Sequence, residues 1–303
     1  MSLSLHPIAK QKLERRALML GMTAIVMWST VATAFKLALD VVTTNQLLLL
    51  GTGCSWIIFA IARSVRRQFH LPQRFWSSVA LLGVLNPLCY YAILFVAYDR
   101  LPAHIAQPLN YTWAITLAIL AIPILGQRLS MQTLCGILIS YGGVLVLLGG
   151  HVGITSFDGL GIGLAMGSTL IWASYWLLST RLSQQAEAPE ATLVMFWSFT
   201  FALPLVTALC LATDGLPALN LQTIGYGIWV GAFEMGLSFI CWQSALRLTD
   251  NVSRMGQLIF LSPFLSLVLI YLILGESFGS NVFIGLAVIV AGLAVTQRET
   301  VNP

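Results

Sequence analysis

The chain has 303 residues, of which 58% are hydrophobic and 9% charged, where a soluble domain carries roughly 25% charged residues. That balance excludes a soluble globular protein and predicts an all-α integral membrane protein, with the lipid bilayer as its first partner. The formal net charge of +4 follows from the topology set out below and does not point to nucleic acid.

A spanning helix needs roughly 20 apolar residues, and ten segments of about that length follow one another. The first, 18–39, comes after the basic residues Lys10, Lys12, Arg15 and Arg16, carries Trp28 at its middle and holds Lys36 towards its far end. Its basic start and Ala32-Thr33-Ala34 are similar to a cleavable signal sequence, but the apolar run continues to Leu39 and the repeat described below needs it, so the helix is read as retained. The second, 43–62, ends in Arg63, Arg66 and Arg67. Asn86, Pro87, Tyr90 and Tyr91 lie in the third, 76–97, and Asn110, Tyr111 and Trp113 in the fourth, 103–125, which also contains Pro108 and Pro123. The fifth, 131–149, has Gly142-Gly143; the sixth, 159–180, has glycines at 159, 161, 163 and 167 followed by Trp172 and Trp176. Pro204 interrupts the seventh, 191–212. The eighth, 223–246, carries Glu234, Ser238 and Trp242, and Pro263 falls in the ninth, 252–274, before the tenth, 280–297. The internal prolines predict kinks, those of the third, fourth and ninth segments being candidate bending points, and the glycines predict close helix approach, Gly163 and Gly167 as a small-xxx-small pair.

With the N-terminus in the cytoplasm, only Lys36 and Arg100 of the 15 Lys and Arg fall at outer ends, and the positive-inside rule then puts both termini in the cytoplasm. An odd number of spans would spoil that partition. Cys54, Cys89, Cys135, Cys210 and Cys241 all lie in apolar segments without C-x-x-C spacing and read as small packing residues.

The chain repeats itself. Gly83–Ala97 aligns without gaps on Gly231–Ala245, Leu125-Gly126-Gln127 on Leu274-Gly275-Glu276, Gly136 and Gly143 on Gly285 and Gly292, and Trp28 on Trp172. The fold expected is therefore ten transmembrane helices as two five-helix repeats, 18–150 and 151–298, between a tail at 1–17 and a tail at 299–303. Because five is odd, the second repeat enters the membrane from the opposite side. Inverted repeats place a substrate site near the midplane, where the halves meet.

The ten-helix plan, the A-L-R-L after the eighth segment, Leu261, Pro263, Ser266 and Leu267 in the ninth, the L-G-E at Leu274–Glu276 and the start of the first segment resemble the drug/metabolite transporter superfamily, EamA type. Asn110-Tyr111-Thr112-Trp113 and Gly231–Gly236 are similar to segments of its aromatic amino acid exporter branch. Ala114 stands where that branch has proline, and Gln127 where the first repeat often has an acid. The resemblance implies an inner-membrane secondary transporter of bacteria, working as a monomer without cofactor or metal and exporting amino acids, aromatic or other large neutral ones, by alternating access. A multidrug or nucleotide-sugar carrier on the same scaffold is the alternative.

Glu234 is the residue hardest to place in lipid, where a central charge costs about 2.5–3.5 kcal/mol on insertion scales. On a regular helix Glu234, Ser238 and Trp242 form one stripe, and Asn86 is the repeat mate of Glu234. Glu234 is either a silent partner of a neighbouring helix or a cavity residue that receives a substrate ammonium or changes protonation. The candidate binding set is Trp28, Asn86, Tyr90, Tyr91, Asn110, Tyr111, Trp113, Trp172, Trp176, Glu234, Ser238 and Trp242; each central ring either lines a cavity or packs. Lys36 either snorkels to the outer interface or meets a substrate carboxylate at the outer mouth. The histidines 6, 70, 104 and 151 fall in tails or loops, and neither H-E-x-x-H nor a phosphate-binding G-x-x-x-x-G-K-[ST] is present. Catalytic residues are not expected, and an intramembrane enzyme is a distant reading.

Overall fold

The computed structural model describes residues 7–125, 131–149, 158–249, 255–256 and 258–297. Gln127, Arg128, Arg254, Arg298, His6 and His151 lie outside them, as do the join between the expected repeats and the tail 299–303. The helices are α1 (Pro7–Ser29), α2 (Val31–Leu39), α3 (Thr44–Arg66), α4 (Trp76–Gly83), α5 (Tyr90–Arg100), α6 (Ala103–Tyr111), α7 (Trp113–Leu125), α8 (Met131–Gly149), α9 (Gly159–Ser183), α10 (Ala191–Thr213), α11 (Leu221–Val230), α12 (Leu237–Leu248), α13 (Leu261–Leu269) and α14 (Ser280–Gln297). No strand occurs among the described residues.

Among the described residues, seven stretches are long and apolar enough to cross a membrane: Gln11–Leu39, Thr44–Arg66, Gln73–Arg100, Ala103–Ile124, Gly159–Ser183, Ala191–Thr213 and Leu221–Leu248. Shorter apolar helices, Leu134–Leu147, Leu258–Leu274 and Ser280–Val295, fall where the fifth, ninth and tenth segments are expected. Leu170, Ile228, Val268 and Tyr271 are half exposed or more on the outside of the bundle, a surface that hydrocarbon, not water, would cover.

Local chemistry sets the helix ends. Thr43 and Gln46 form a reciprocal capping box at the start of α3, Asp158 caps α9 through the backbone N–H of Gly161 at 3.0 Å, and the Asn220 side chain accepts from Gln222 and Thr223 at the start of α11. Each supplies an acceptor to N–H groups that the first turn leaves unbonded.

Two breaks matter most. Between α4 and α5 the chain makes a wide π-type turn over Val84–Cys89, where Pro87 has no N–H to donate and Asn86 leaves helical geometry (φ −143°, ψ 116°). Between α11 and α12 a second π-type turn covers Gly231–Gly236, ending at Gly236 with φ −114° and ψ −88°. These are the segments that align on each other in the sequence. Non-helical backbone at membrane depth is tolerated where it is buried in protein or lines a cavity.

The close approach expected from glycine is found at α8 against α14. A Cβ on Gly285 would lie 2.7 Å from the backbone nitrogen of Leu147 and 2.8 Å from the carbonyl of Gly143, and one on Gly143 would lie 2.7 Å from the carbonyl of Gly285. The Gly163 and Gly167 pair needs correction: a Cβ at either position would meet nothing within 4 Å. Their faces point away from neighbouring helices, so the motif's spacing is present without a partner to pack on.

Polar contacts define two ends of the bundle. At one, the Lys36 ammonium donates to the carbonyls of Tyr98 (2.9 Å) and Leu101 (3.2 Å), Arg100 pairs with Asp158 at 2.6 Å, and Glu276 accepts from the backbone N–H groups of Ala103 (3.0 Å) and His104 (3.1 Å) and meets His104 Nδ1 at 2.6 Å. At the other, Glu190 takes Arg63 at 2.8 Å, Arg247 at 3.0 Å and also Arg66. Arg63 is 1% exposed, and a guanidinium so buried needs this partner together with the Gln68 carbonyl and the Thr192 hydroxyl. Burial opposes ionisation of Glu190, but hydrogen bonds from Arg247, Arg66 and Arg63 outweigh it and hold the carboxyl down at about 2.

A central aromatic cavity

The second break borders a cavity of about 580 Å³ through Glu234, and the helix after the first break reaches it at Tyr90; the volume is within the range of small-molecule sites. Trp28, Tyr90, Asn110, Tyr111, Trp113, Trp172, Trp176, Glu234 and Trp242 of the candidate set line it. Its wall begins at Phe35 and Tyr98, close to the Lys36 and Glu276 end, and continues to Thr180, Leu246 and Gly256, towards the end that holds Glu190. Phe35 packs edge-on against Phe95 (centroids 4.8 Å apart) and Tyr98 (5.1 Å). Rings crowd one end of the cavity, and its lining extends towards the other.

One ring organises the wall. Trp172 stacks on Tyr90 at 4.4 Å and on Tyr175 at 5.5 Å, and meets Trp176, Phe239 and Trp113 edge-on. Trp28 contacts Trp242 at 5.5 Å and Phe239 at 5.8 Å across the junction of α1 with α12. Offset and edge-on pairs of this kind are worth about 0.5–1.5 kcal/mol each beyond burial.

Polar groups interrupt this surface in few places. Glu234 Oε1 accepts from the Tyr91 hydroxyl at 3.0 Å, while the Glu234 carbonyl accepts from Trp28 Nε1 at 3.3 Å and Ser238 Oγ at 3.0 Å. The Tyr90 hydroxyl donates to Asn110 Oδ1 (3.1 Å), whose amide nitrogen donates to Ser168 (3.0 Å). Gln107 Oε1 and Trp176 Nε1 are buried without a hydrogen-bond partner, and both residues line the cavity.

Four candidates sit elsewhere. Ser238 is fully buried off the wall, because the π-type turn advances the register: the lining residues are Glu234, Phe239, Trp242 and Leu246, where an unbroken helix would give 234, 238 and 242. Asn86 is 2% exposed and also off the wall, its own turn having rotated it away. Tyr91 lies behind Tyr90 and reaches Glu234 with its hydroxyl. Lys36 does not line the cavity; its part-buried ammonium donates to carbonyls at the end of α5. Phe35, Tyr98, Gln107 and Phe239 are wall residues that the sequence reading passed over. Gln107 had a usable signal, lying three and four residues before Asn110 and Tyr111 on one helical face. Among the described residues no group of three or more His, Cys, Asp or Glu could hold a metal ion.

A helical bundle with lipid-facing sides and a ring-lined hollow inside it is the architecture of a multi-pass membrane transporter of small molecules. The profile of the EamA-like transporter family matches residues 15–149 and again residues 159–298, and the chain belongs to that family. It is a transporter and not an enzyme. Similar proteins include the aromatic amino acid exporter YddG of Ancylobacter novellus, 26% identical over 92% of this chain and 96% of the relative. A probable terminal-alkyne amino-acid exporter of Streptantibioticus cattleyicolor is 23% identical over 92% of each. An uncharacterized protein of Pseudomonas aeruginosa, PA1977, is 30% identical over 77% of this chain and 78% of its own length. A solved crystal structure shares the fold with a TM-score of 0.65 at 24% identity, covering 95% of this chain and 99% of that one.

Proposed function

We propose that the protein is an inner-membrane exporter of amino acids with aromatic or other large neutral side chains, working as a monomer by alternating access through the central cavity. The observation that carries this is Glu234, the one carboxyl among the described lining residues, set on a helix break inside a wall of Trp and Tyr rings. In this reading the rings receive the side chain through stacking and edge contacts, and Glu234 receives the ammonium. The names carried by the Ancylobacter novellus and Streptantibioticus cattleyicolor relatives, both amino-acid exporters, support the substrate class.

The architecture is ten spans in two inverted repeats, 18–150 and 151–298, with both termini in the cytoplasm. The paired breaks at Val84–Cys89 and Gly231–Gly236 support it, as does the double match of the family profile. Interrupted helices at corresponding positions of two halves are the expected mark of a transporter's midplane site. With this topology the Glu276 end is outside and the Glu190 end inside, so the form described is closed outward and open inward. Cysteines at positions 185 and 279 should then label from opposite faces of the membrane.

Counterflow in proteoliposomes tests the substrate. Labelled phenylalanine or tryptophan should exchange saturably, with methionine and threonine competing more weakly. Exchange of cationic drugs or nucleotide sugars with no response to any amino acid would contradict the assignment.

A further inference from the structure

The cavity's charged groups are one-sided. Asn110 and Tyr90 are occupied with each other and with Ser168, and Trp28 donates to the Glu234 carbonyl. Among the groups left for a ligand are the Glu234 carboxyl, of which a described side chain engages only Oε1, and the unpartnered Gln107 Oε1 and indole N–H of Trp176, both buried and each reached only by a turn of its side chain; the phenol and indole groups of Tyr98, Tyr111, Trp113 and Trp242 also belong to the wall. Among the described lining residues there is no Lys, Arg or His. Lys36, the cation nearest in sequence to Phe35 of the wall, has its ammonium bound by two backbone carbonyls.

An ammonium with an aromatic body finds a carboxyl that can ionise against it, a second acceptor and π faces, all of which attract cations. A carboxylate finds no opposite charge among the described lining residues and shares the chamber with an acidic group, which raises the cost of its burial. Resting on the reading of this cavity as the substrate site, we infer that it recognises the amine end of its substrates and takes carboxylate-free arylalkyl primary amines as substrates in their own right. Gln107 is the specificity-determining residue: its Oε1 accepts an N–H, so it favours ammonium groups that carry hydrogens over quaternary ones, which have none to donate.

A ligand series on the purified wild-type protein decides this without any variant. Binding is read by quenching of tryptophan fluorescence, and transport by counterflow. 2-Phenylethylamine and phenylalanine methyl ester should bind at least as tightly as phenylalanine, and 3-phenylpropanoate about 100-fold more weakly, the loss expected when a charge-assisted contact is replaced by a repulsive one. Gln107→Leu should weaken 2-phenylethylamine about tenfold and change the trimethylammonium analogue by less than about twofold. Binding of 3-phenylpropanoate as tight as that of the amine overturns the inference. So does phenylalanine binding with no amine binding, which leaves the amino-acid assignment intact. Amine transport without amino-acid transport upholds the inference and removes that assignment instead. Equal weakening of both cations by Gln107→Leu overturns the role given to Gln107.

Discussion

The turns Val84–Cys89 and Gly231–Gly236 occupy matching places in the chain and break their helices in the same way, yet only one brings a charge to the cavity. Asn86, at the first, is buried away from the wall with its side-chain oxygen unpartnered. Glu234, at the second, faces the hollow and draws in the hydroxyl of Tyr91 from the helix that follows the first break. Both turns bend the chain, but only the second carries an acidic group to the hollow. The shape that makes a hollow and the group that selects what enters it are thus separable, and mutations should separate them.

The largest effect should come from the shape. Trp172→Ala removes the ring against which Tyr90, Tyr175, Trp176, Phe239 and Trp113 all pack, and should destabilise the folded protein by about 3–5 kcal/mol, read as a fall in melting temperature in detergent. Glu234→Gln comes next. It should lower affinity for an amine-bearing substrate by about 10- to 100-fold, as expected for loss of a charged hydrogen-bond partner, while Asn86→Ala changes affinity by less than about threefold. Equal losses at the two breaks, measured in the same binding assay, would show that chemistry is duplicated as well as shape.

A pH titration probes the inner end, where Glu190 joins α3 to α12. Its carboxyl, held at about 2 by the three arginines against the cost of burial, has a folded value below that of a free glutamate. Its contribution to stability is therefore complete above a pH of about 4.5 and is lost as the pH falls towards the folded value. Melting temperature should drop across that window in the native protein, and Glu190→Gln should flatten the dependence. The smallest effect belongs to Ser238→Ala: the hydroxyl donates to the Glu234 carbonyl one turn back, so substrate affinity should change by less than about twofold.

The seven long spans and the first break were legible because apolar length and Pro87 mark them directly; the second break, which contains no proline, was not. Nor was the register beyond a break. Reading Ser238 as a cavity residue assumed 3.6 residues per turn through Gly236, where the wider turn shifts the face and puts Phe239 on the wall in its place. Lys36 shows a second limit. A cation near a helix end looks alike in sequence whether it reaches for water or for carbonyls of another helix, and the carbonyls of Tyr98 and Leu101 are more than sixty residues away. The rings were easier, since Trp28, Trp172 and Trp242 lie too deep in their segments to anchor at an interface.

The most direct test of alternating access is a cross-link at the closed end. With cysteines in place of His104 and Glu276, which meet at 2.6 Å, a short bifunctional thiol reagent should stop counterflow, reduction should restore it, and neither single-cysteine protein should respond. Undiminished exchange in the cross-linked protein would contradict the account, because substrate would then be crossing without this end opening.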